Sequence, residues 1–258
     1  MMQISYASLI LLSMNPLLPM LLLAAVLWTG SLAAQPREAP DADASTRYLW
    51  SLYEPYRDNT ELLFDGRQYF PSRLITQGHP YFPEDRIMAG AVRLENHEIT
   101  GVQLRYNAYR NLLIFVPESR WLGEIVLNPN RITGFDLENH RFAHLKNFPP
   151  MAGIRQASPL PGYYEVLYEG QVALYVRRSR RFLENLGDTF NQGKYWANDS
   201  RYLVRDGRTY VIKKKKSLMR ALDEQTGALR TFMRKSKFQW GIATDADFRQ
   251  LLQFYDTL

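Results

Sequence analysis

The sequence predicts a mainly β protein of the α+β class, with an antiparallel meander, sandwich or barrel-like sheet and a short C-terminal helical segment. Three observations support this fold class. Short apolar stretches alternate with turn-forming residues, acidic–glycine pairs separate several of them, and the apolar period becomes helical after residue 217. Strands do not alternate with long helices, so doubly wound nucleotide-binding folds are disfavoured.

Three β-hairpins are predicted where an acidic residue and a glycine separate two apolar runs. Glycine supplies the positive φ that a tight hairpin turn requires. The hairpins span residues 62–70 around Asp65-Gly66, 163–176 around Glu169-Gly170, and 202–212 around Asp206-Gly207.

A longer meander is predicted between the first two hairpins, because six apolar stretches there are separated by Asn, Pro or Gly. Its strands are Ala91–Leu94, Ile99–Tyr106, Leu112–Val116, Glu124–Leu127, Ile132–Leu137 and Arg141–Leu145.

Helices are predicted after residue 217, where apolar residues recur at steps of three and four. Gly227 is expected to end one short helix and permit another. A last helix should begin at Thr244, because Asp247 three residues later forms a capping-box-like pair. Its apolar face would hold Phe248, Leu251, Leu252, Tyr255 and Leu258.

The predicted organisation has five segments, with the internal boundary placed in a proline-rich stretch. A single continuous sheet crossing that stretch is the alternative. The segments are a signal peptide (1–34), a disordered leader (35–45), an N-terminal β lobe (46–148), a linker or loop (149–161), and hairpins with helices (162–258).

The N-terminus has the pattern of an export signal. Residues 1–36 contain no charged side chain, and the apolar stretch Leu17–Trp28 precedes small residues that suit cleavage after Ala33 or Ala34. We therefore expect a periplasmic or secreted protein with no transmembrane span in the mature chain. An uncleaved inner-membrane anchor is the alternative, although Pro19 leaves a run shorter than the roughly 20 residues that span a bilayer.

Composition excludes several chemistries. The chain of 258 residues has no cysteine, so disulfides, thiolate metal sites and cysteine nucleophiles cannot form. No glycine-rich phosphate loop, dinucleotide fingerprint or serine-hydrolase elbow is present. We predict no cofactor.

Positive charge is concentrated in the C-terminal part. Residues 171–258 hold 18 Lys and Arg against 9 Asp and Glu, whereas the whole chain has a net charge of +6. Two basic runs directly follow apolar strands and would form one patch if their hairpins are neighbours. The candidate anion-binding residues are Arg177, Arg178, Arg180, Arg181, Lys213, Lys214, Lys215 and Lys216.

The expected partner of this patch is an anionic envelope surface, such as lipid phosphates or acidic glycans, or an envelope protein. The export signal argues against nucleic acid. The alternative is that both runs are solvated strand ends without a ligand.

Histidines offer weak candidates for chemistry. His140 and His144 have an H-x-x-x-H spacing, but Arg141 follows the first histidine and opposes a cation. His79 lies between Gly78 and Pro80 without a nucleophile nearby in sequence. These residues support a periplasmic hydrolase with a His-based or metal site only as the alternative function.

Three groups of short motifs stand out: residues 64–69 with 78–82, residues 101–107, and residues 162–168 with 215–219 and 251–255. These motifs resemble those of a family of uncharacterised exported envelope proteins of Gram-negative bacteria. The resemblance implies an envelope location and no particular activity. Together with the basic half, it favours a noncatalytic binding or structural protein.

Overall fold

The computed structural model describes residues 42–53, 60–153, 157–185, 187, 190–222 and 226–258. The chain divides after Ser51 into two units. The first unit contributes most of helix α1 (Ala42–Tyr53), which includes four residues of the predicted disordered leader. Alanine and arginine in this stretch favour a helix. The rest of the leader and the predicted signal peptide lie outside the described residues.

The second unit, from Leu52 to Leu258, contains fifteen strands and three α-helices among its described residues. The helices are α2 (Lys215–Ala221), α3 (Thr226–Lys235) and α4 (Asp245–Tyr255), with 3-10 turns at Thr60–Phe64 and Arg120–Leu122. The strands are β1 (Arg67–Gln68), β2 (Thr76–Gln77), β3 (Tyr81–Phe82), β4 (Met88–Leu94), β5 (Glu98–Asn107), β6 (Leu112–Phe115), β7 (Ile125–Val126), β8 (Ile132–Leu137), β9 (His140–Leu145), β10 (Gly162–Glu169), β11 (Ala173–Arg177), β12 (Arg180–Glu184), β13 (Gly193–Ala197), β14 (Ser200–Arg205) and β15 (Arg208–Ile212).

Twelve strands form one antiparallel sheet, which confirms the predicted fold class. Their order is β1-β7-β6-β5-β4-β8-β9-β10-β11-β14-β15, with β3 paired to β5, and the sheet is open rather than closed into a barrel. All six meander strands are confirmed to within a few residues. The sheet crosses the proline-rich segment without interruption, because Gly162 of β10 pairs with Leu145 of β9.

Two of the three predicted hairpins are confirmed, β10–β11 and β14–β15. In the second of these turns Asp206 and Gly207 both have positive φ, as a tight two-residue turn requires. The first predicted hairpin is wrong, because residues 60–64 form a 3-10 turn that buries Leu63 in the core. Gly66 serves a close approach instead, since a Cβ there would lie 2.3 Å from the carbonyl oxygen of Val126.

The sheet carries two main apolar cores, one in each half. In the N-terminal half the rings of Phe135 and Phe142 stack with centroids 4.5 Å apart, and Tyr163 packs edge-on against Phe135. In the C-terminal half α2, α3 and α4 cover one face of β10, β11, β14 and β15. Full burial of each such side chain contributes about 1.5–3 kcal/mol.

The C-terminal helix has the predicted cap. The hydroxyl of Thr244 accepts a hydrogen bond from the Asp247 backbone N–H, and Asp247 accepts one from the Thr244 N–H. Four of the five predicted apolar residues are buried, but Leu258 lies beyond the helix end and is exposed. Gly227 is the second residue of α3 rather than the end of a helix.

Three further strands, β12, β13 and β2, form a second, smaller sheet. The hairpin β12–β13 is inserted between β11 and β14, and β2 pairs with β13 in parallel.

Candidate functional site

The floor of the candidate site is one face of three neighbouring strands at the C-terminal end of the sheet. Arg177 pairs with Ser200, and Tyr202 pairs with Val211, so the side chains of these four residues point to the same face. The two hairpins are therefore adjacent, as the predicted patch requires.

The opposite face of the same strands is the core. Val176, Leu174, Leu203 and Ile212 alternate with the floor residues and are at most 4% exposed beneath the helices. This alternation directs the polar side chains of the floor away from the core and leaves them for another contact.

Three segments of the chain surround the floor and form a cleft of about 780 Å³. One wall is the proline-rich segment at residues 157–160. A second is the base of the β12–β13 hairpin, where the N–H of Asn198 donates to the carbonyl oxygen of Ser179 at 2.9 Å. The third is the turn into α2.

The turn into α2 is held by Ser217. Its hydroxyl oxygen accepts hydrogen bonds from the backbone N–H groups of Lys213 and Lys214, each at 3.0 Å, and donates to the Lys214 carbonyl at 2.7 Å. Leu218 and Met219 of α2 are buried in the core. Lys216 and Arg220, four residues apart and on one helix face, line the cleft.

Among the described residues, five cationic side chains line this cleft, and none of the described lining residues is Asp or Glu. They are Arg177, Lys213, Lys214, Lys216 and Arg220. None of the five forms an ion pair within the described part of the chain. Arg177 instead donates to two neutral oxygens, the Tyr164 hydroxyl at 3.4 Å and the Leu160 carbonyl at 3.5 Å.

Four of the eight predicted anion-binding residues line the cleft: Arg177, Lys213, Lys214 and Lys216. Lys215 is exposed at the start of α2 and Arg181 is exposed on β12, but neither lines the cleft. Arg180 is half-buried near the ring of Phe82, and burial lowers the pKa of its guanidinium.

Arg178 has a different environment from its neighbour Arg177. Its side chain is 5% exposed and pairs with Glu165, Asp199 and Asp245. Burial opposes the charged form, but these three carboxylates outweigh it and raise the pKa of Arg178 above its ordinary range. Each of its three guanidinium nitrogens donates to one carboxylate, so Arg178 belongs to a buried ion network and not to the cleft.

Sequence reasoning missed Arg220 and the hydrogen-bonding groups of Ser179, Asn198 and Ser200 in the cleft. Arg220 carried a signal, because it lies four residues after Lys216 in a helical pattern. The other three depend on the pairing of distant strands, which local sequence does not specify.

The histidines occupy separate structural positions. His140 Nδ1 lies 2.8 Å from a carboxylate oxygen of Glu165, and His144 Nδ1 lies 3.1 Å from the carbonyl oxygen of Ile132. Burial lowers the pKa of His144. His79 contacts the ring of Tyr81. In the ranges that the structure covers, no three metal-ligating side chains come together.

No protein-family model, curated protein or solved structure matches the chain. Its function is therefore argued from the chemistry of the site. Among the described helices, none is long and apolar enough to cross a membrane.

Proposed function

We propose that this chain is a noncatalytic binding protein of the cell envelope, and that its cleft holds an anionic ligand with at least two phosphate or carboxylate groups. One observation carries the proposal. Five cationic side chains surround a single cleft, and none of the lining residues that the structure describes is a carboxylate that would neutralise them.

An anion would resolve an unfavourable arrangement of charge. Like charges that share a cleft repel one another, and low-dielectric walls strengthen both this repulsion and the attraction of an oppositely charged ligand. The cations come from a strand end, a turn and a helix. Because they surround the floor from different directions, a ligand with several anionic groups satisfies more of them than a single phosphate does.

The polar groups around the cations suit oxyanions. Arg177 presents a planar guanidinium that can donate two parallel hydrogen bonds, while the lysines act as mobile point charges. Ser200 and Asn198 add neutral donors at the floor and the wall. The volume of about 780 Å³ lies in the range typical of small-ligand sites.

The lining supports binding over hydrolysis. Ser179, Ser200 and Ser217 offer hydroxyl groups, but the described residues around them provide no imidazole or carboxylate that lines the same cleft. Ser217 is also committed to its hydrogen bonds in the turn into α2.

The envelope location is supported by the apolar, uncharged N-terminal sequence. Anions available there include lipid headgroups and acidic glycans. An uncleaved N-terminal anchor would keep the chain on the membrane, where lipid headgroups are the available anions, so both forms of export lead to the same class of ligand.

Titration calorimetry with inorganic tripolyphosphate tests the proposal. We expect the full chain to bind tripolyphosphate more tightly than inorganic phosphate, with an affinity that falls as salt is added. The double variant Lys213→Ala/Lys216→Ala should weaken binding at least about tenfold, because each charge-assisted contact contributes about 1.5–3 kcal/mol.

The matched control removes the same charge elsewhere. Arg230 and Lys235 are exposed on α3 and do not line the cleft. Arg230→Ala/Lys235→Ala should leave the affinity nearly unchanged. Equal weakening in both double variants, or no binding by the unaltered chain, would contradict a specific cleft.

A further inference from the structure

The three-stranded sheet has two faces of opposite character. In the β12–β13 ladder Arg181 pairs with Trp196 and Leu183 pairs with Lys194, so these four side chains share one face. Phe182 pairs with Tyr195, and the side chains of these two residues share the opposite face.

The face that contains Phe182 is packed. Its ring lies 4.7 Å from the ring of Tyr195, and Tyr109 approaches both at 6.3 and 5.4 Å between centroids. Gly193 lies on this side, where a Cβ would collide with the Phe182 ring. These aromatic contacts hold the hairpin on this side.

The opposite face, here called the outer face, is open. By strand alternation and the β13–β2 register it contains Ile75, Gln77, Arg181, Leu183, Lys194 and Trp196. Leu183 is 64% exposed and Ile75 is 61% exposed. Large aliphatic side chains this exposed on one small sheet are typical of an interaction surface.

The charge of the outer face identifies the kind of surface it fits. Arg181 and Lys194 are its charged residues, and neither forms an ion pair within the described part of the chain. The nearby Glu184 alternates to the packed face. A set of Trp, Leu and Ile beside unpaired cations is the composition that favours the interface of a bilayer with anionic lipids.

We infer that the outer face docks on the surface of an anionic lipid bilayer. Leu183 and Ile75 would enter the boundary of the acyl chains, the indole of Trp196 would lie at headgroup level, and Arg181 and Lys194 would contact lipid phosphates. The inference goes beyond the proposed ligand of the cleft, because none of these six residues lines it.

Docking would also bring the cleft close to the membrane. Ser179 immediately precedes β12 and forms part of the cleft wall. Five strand residues span about 17 Å. An anionic ligand released at the membrane surface would therefore have a short path to the cleft.

Site-specific fluorescence tests the inference. Because the chain has no cysteine, Ile75→Cys and Ile242→Cys each give one thiol for an environment-sensitive dye. Ile242 is a matched control, since it is 75% exposed and lies outside the three-stranded sheet. Each labelled chain is mixed with equimolar phosphatidylcholine–phosphatidylglycerol vesicles that carry brominated acyl chains, which quench nearby dyes.

The expected result is quenching of the dye at residue 75 and little quenching at residue 242. Vesicles of phosphatidylcholine alone should quench the dye at residue 75 much less. Adding Arg181→Gln/Lys194→Gln should raise the lipid concentration for half-quenching about 25-fold, which corresponds to about 1 kcal/mol for each cation at an anionic surface.

Several results would overturn the inference: equal quenching at both labelled positions, no quenching at residue 75, or quenching that ignores phosphatidylglycerol. Retention by the N-terminal apolar segment does not confuse the measurement, because the dye reports which surface faces the lipid. Lys213→Ala/Lys216→Ala should leave quenching at residue 75 unchanged. A failure of tripolyphosphate binding therefore stays distinguishable from a failure of docking.

Discussion

The N-terminal half of the large sheet and the cleft in its C-terminal half differ in whether their cationic side chains form ion pairs within the protein. In the N-terminal half several arginines are neutralised within the fold, as in Arg93 with Asp136 and Arg105 with Asp85 and Glu124. Around the cleft, five cations stand together without a carboxylate partner in the described residues. The proposed anion site is therefore distinguished by a group of cations without internal ion pairs, and not by net charge alone.

The physical roles of the two groups differ accordingly. Arg86 pairs with Glu138 and Arg93 pairs with Asp136, so both connect distant parts of the chain around β4 and β8. Such pairs are part of the fold. The cleft cations repel one another, so we expect their grouping to lower the stability of the empty protein and a bound anion to relieve that repulsion.

The largest expected effect concerns Arg178, which is adjacent to a cleft cation in sequence but is neutralised within the fold. Arg178→Gln should lower the free energy of unfolding by about 3–5 kcal/mol, because it removes the guanidinium from the buried Glu165 and leaves His140 as the remaining side-chain partner of that carboxylate. Glu165 is 1% exposed, so water cannot replace the arginine. Urea denaturation measures the change.

Arg181→Gln is the control for this prediction. Arg181 lies three residues after Arg178, on β12, but its side chain is exposed. Its free energy of unfolding should change by less than about 0.5 kcal/mol. Equal stability of Arg178→Gln and the unaltered chain would contradict the buried ion network.

A smaller effect is expected for Arg93 in the N-terminal half. Its guanidinium donates to both carboxylate oxygens of Asp136 and to the Phe142 carbonyl. Arg93→Gln should cost about 1–3 kcal/mol in urea denaturation. The loss stays below that of Arg178 because Asp136 is 32% exposed and can be hydrated.

Arg141 provides the comparison for Arg93. It pairs with Glu169, but its side chain is 62% exposed. Arg141→Gln should change stability by no more than about 0.5 kcal/mol, because exposed ion pairs contribute little. If Arg141→Gln proved as costly as Arg93→Gln, burial would not be what makes these pairs important.

The sequence predicted most of the fold because the signals are local. Alternation and an Asp-Gly turn specify β14–β15, and a Thr-Asp cap specifies the start of α4. The first predicted hairpin failed because Asp65-Gly66 looks like a turn, whereas Leu63 is needed in the core and Gly66 in a close backbone approach. Tertiary packing around Leu63 and Gly66 therefore overrode the local turn signal of Asp65-Gly66.

The cleft was predictable only in part. Basic runs after two apolar strands indicated Arg177, Lys213, Lys214 and Lys216, and the adjacent hairpins bring these four residues together. Arg177 and Arg178 differ because successive side chains along the chain point to opposite faces. Arg177 points to the floor of the cleft, and Arg178 points toward Glu165. The carboxylates that Arg178 meets come from β10, from the residue before β14 and from α4, and all of these are distant in sequence.

The smallest expected effect is on the cleft itself in the absence of ligand. Lys213→Ala/Lys216→Ala should change the free energy of unfolding by no more than about 0.5 kcal/mol, or raise it slightly, because it removes repulsion without breaking an ion pair. Excess tripolyphosphate should then raise the thermal midpoint of the unaltered chain through binding to the folded state. It should raise that of the variant much less. A large loss of stability in the variant without tripolyphosphate would show that these lysines serve the fold, and the contrast between the two halves of the sheet would no longer hold.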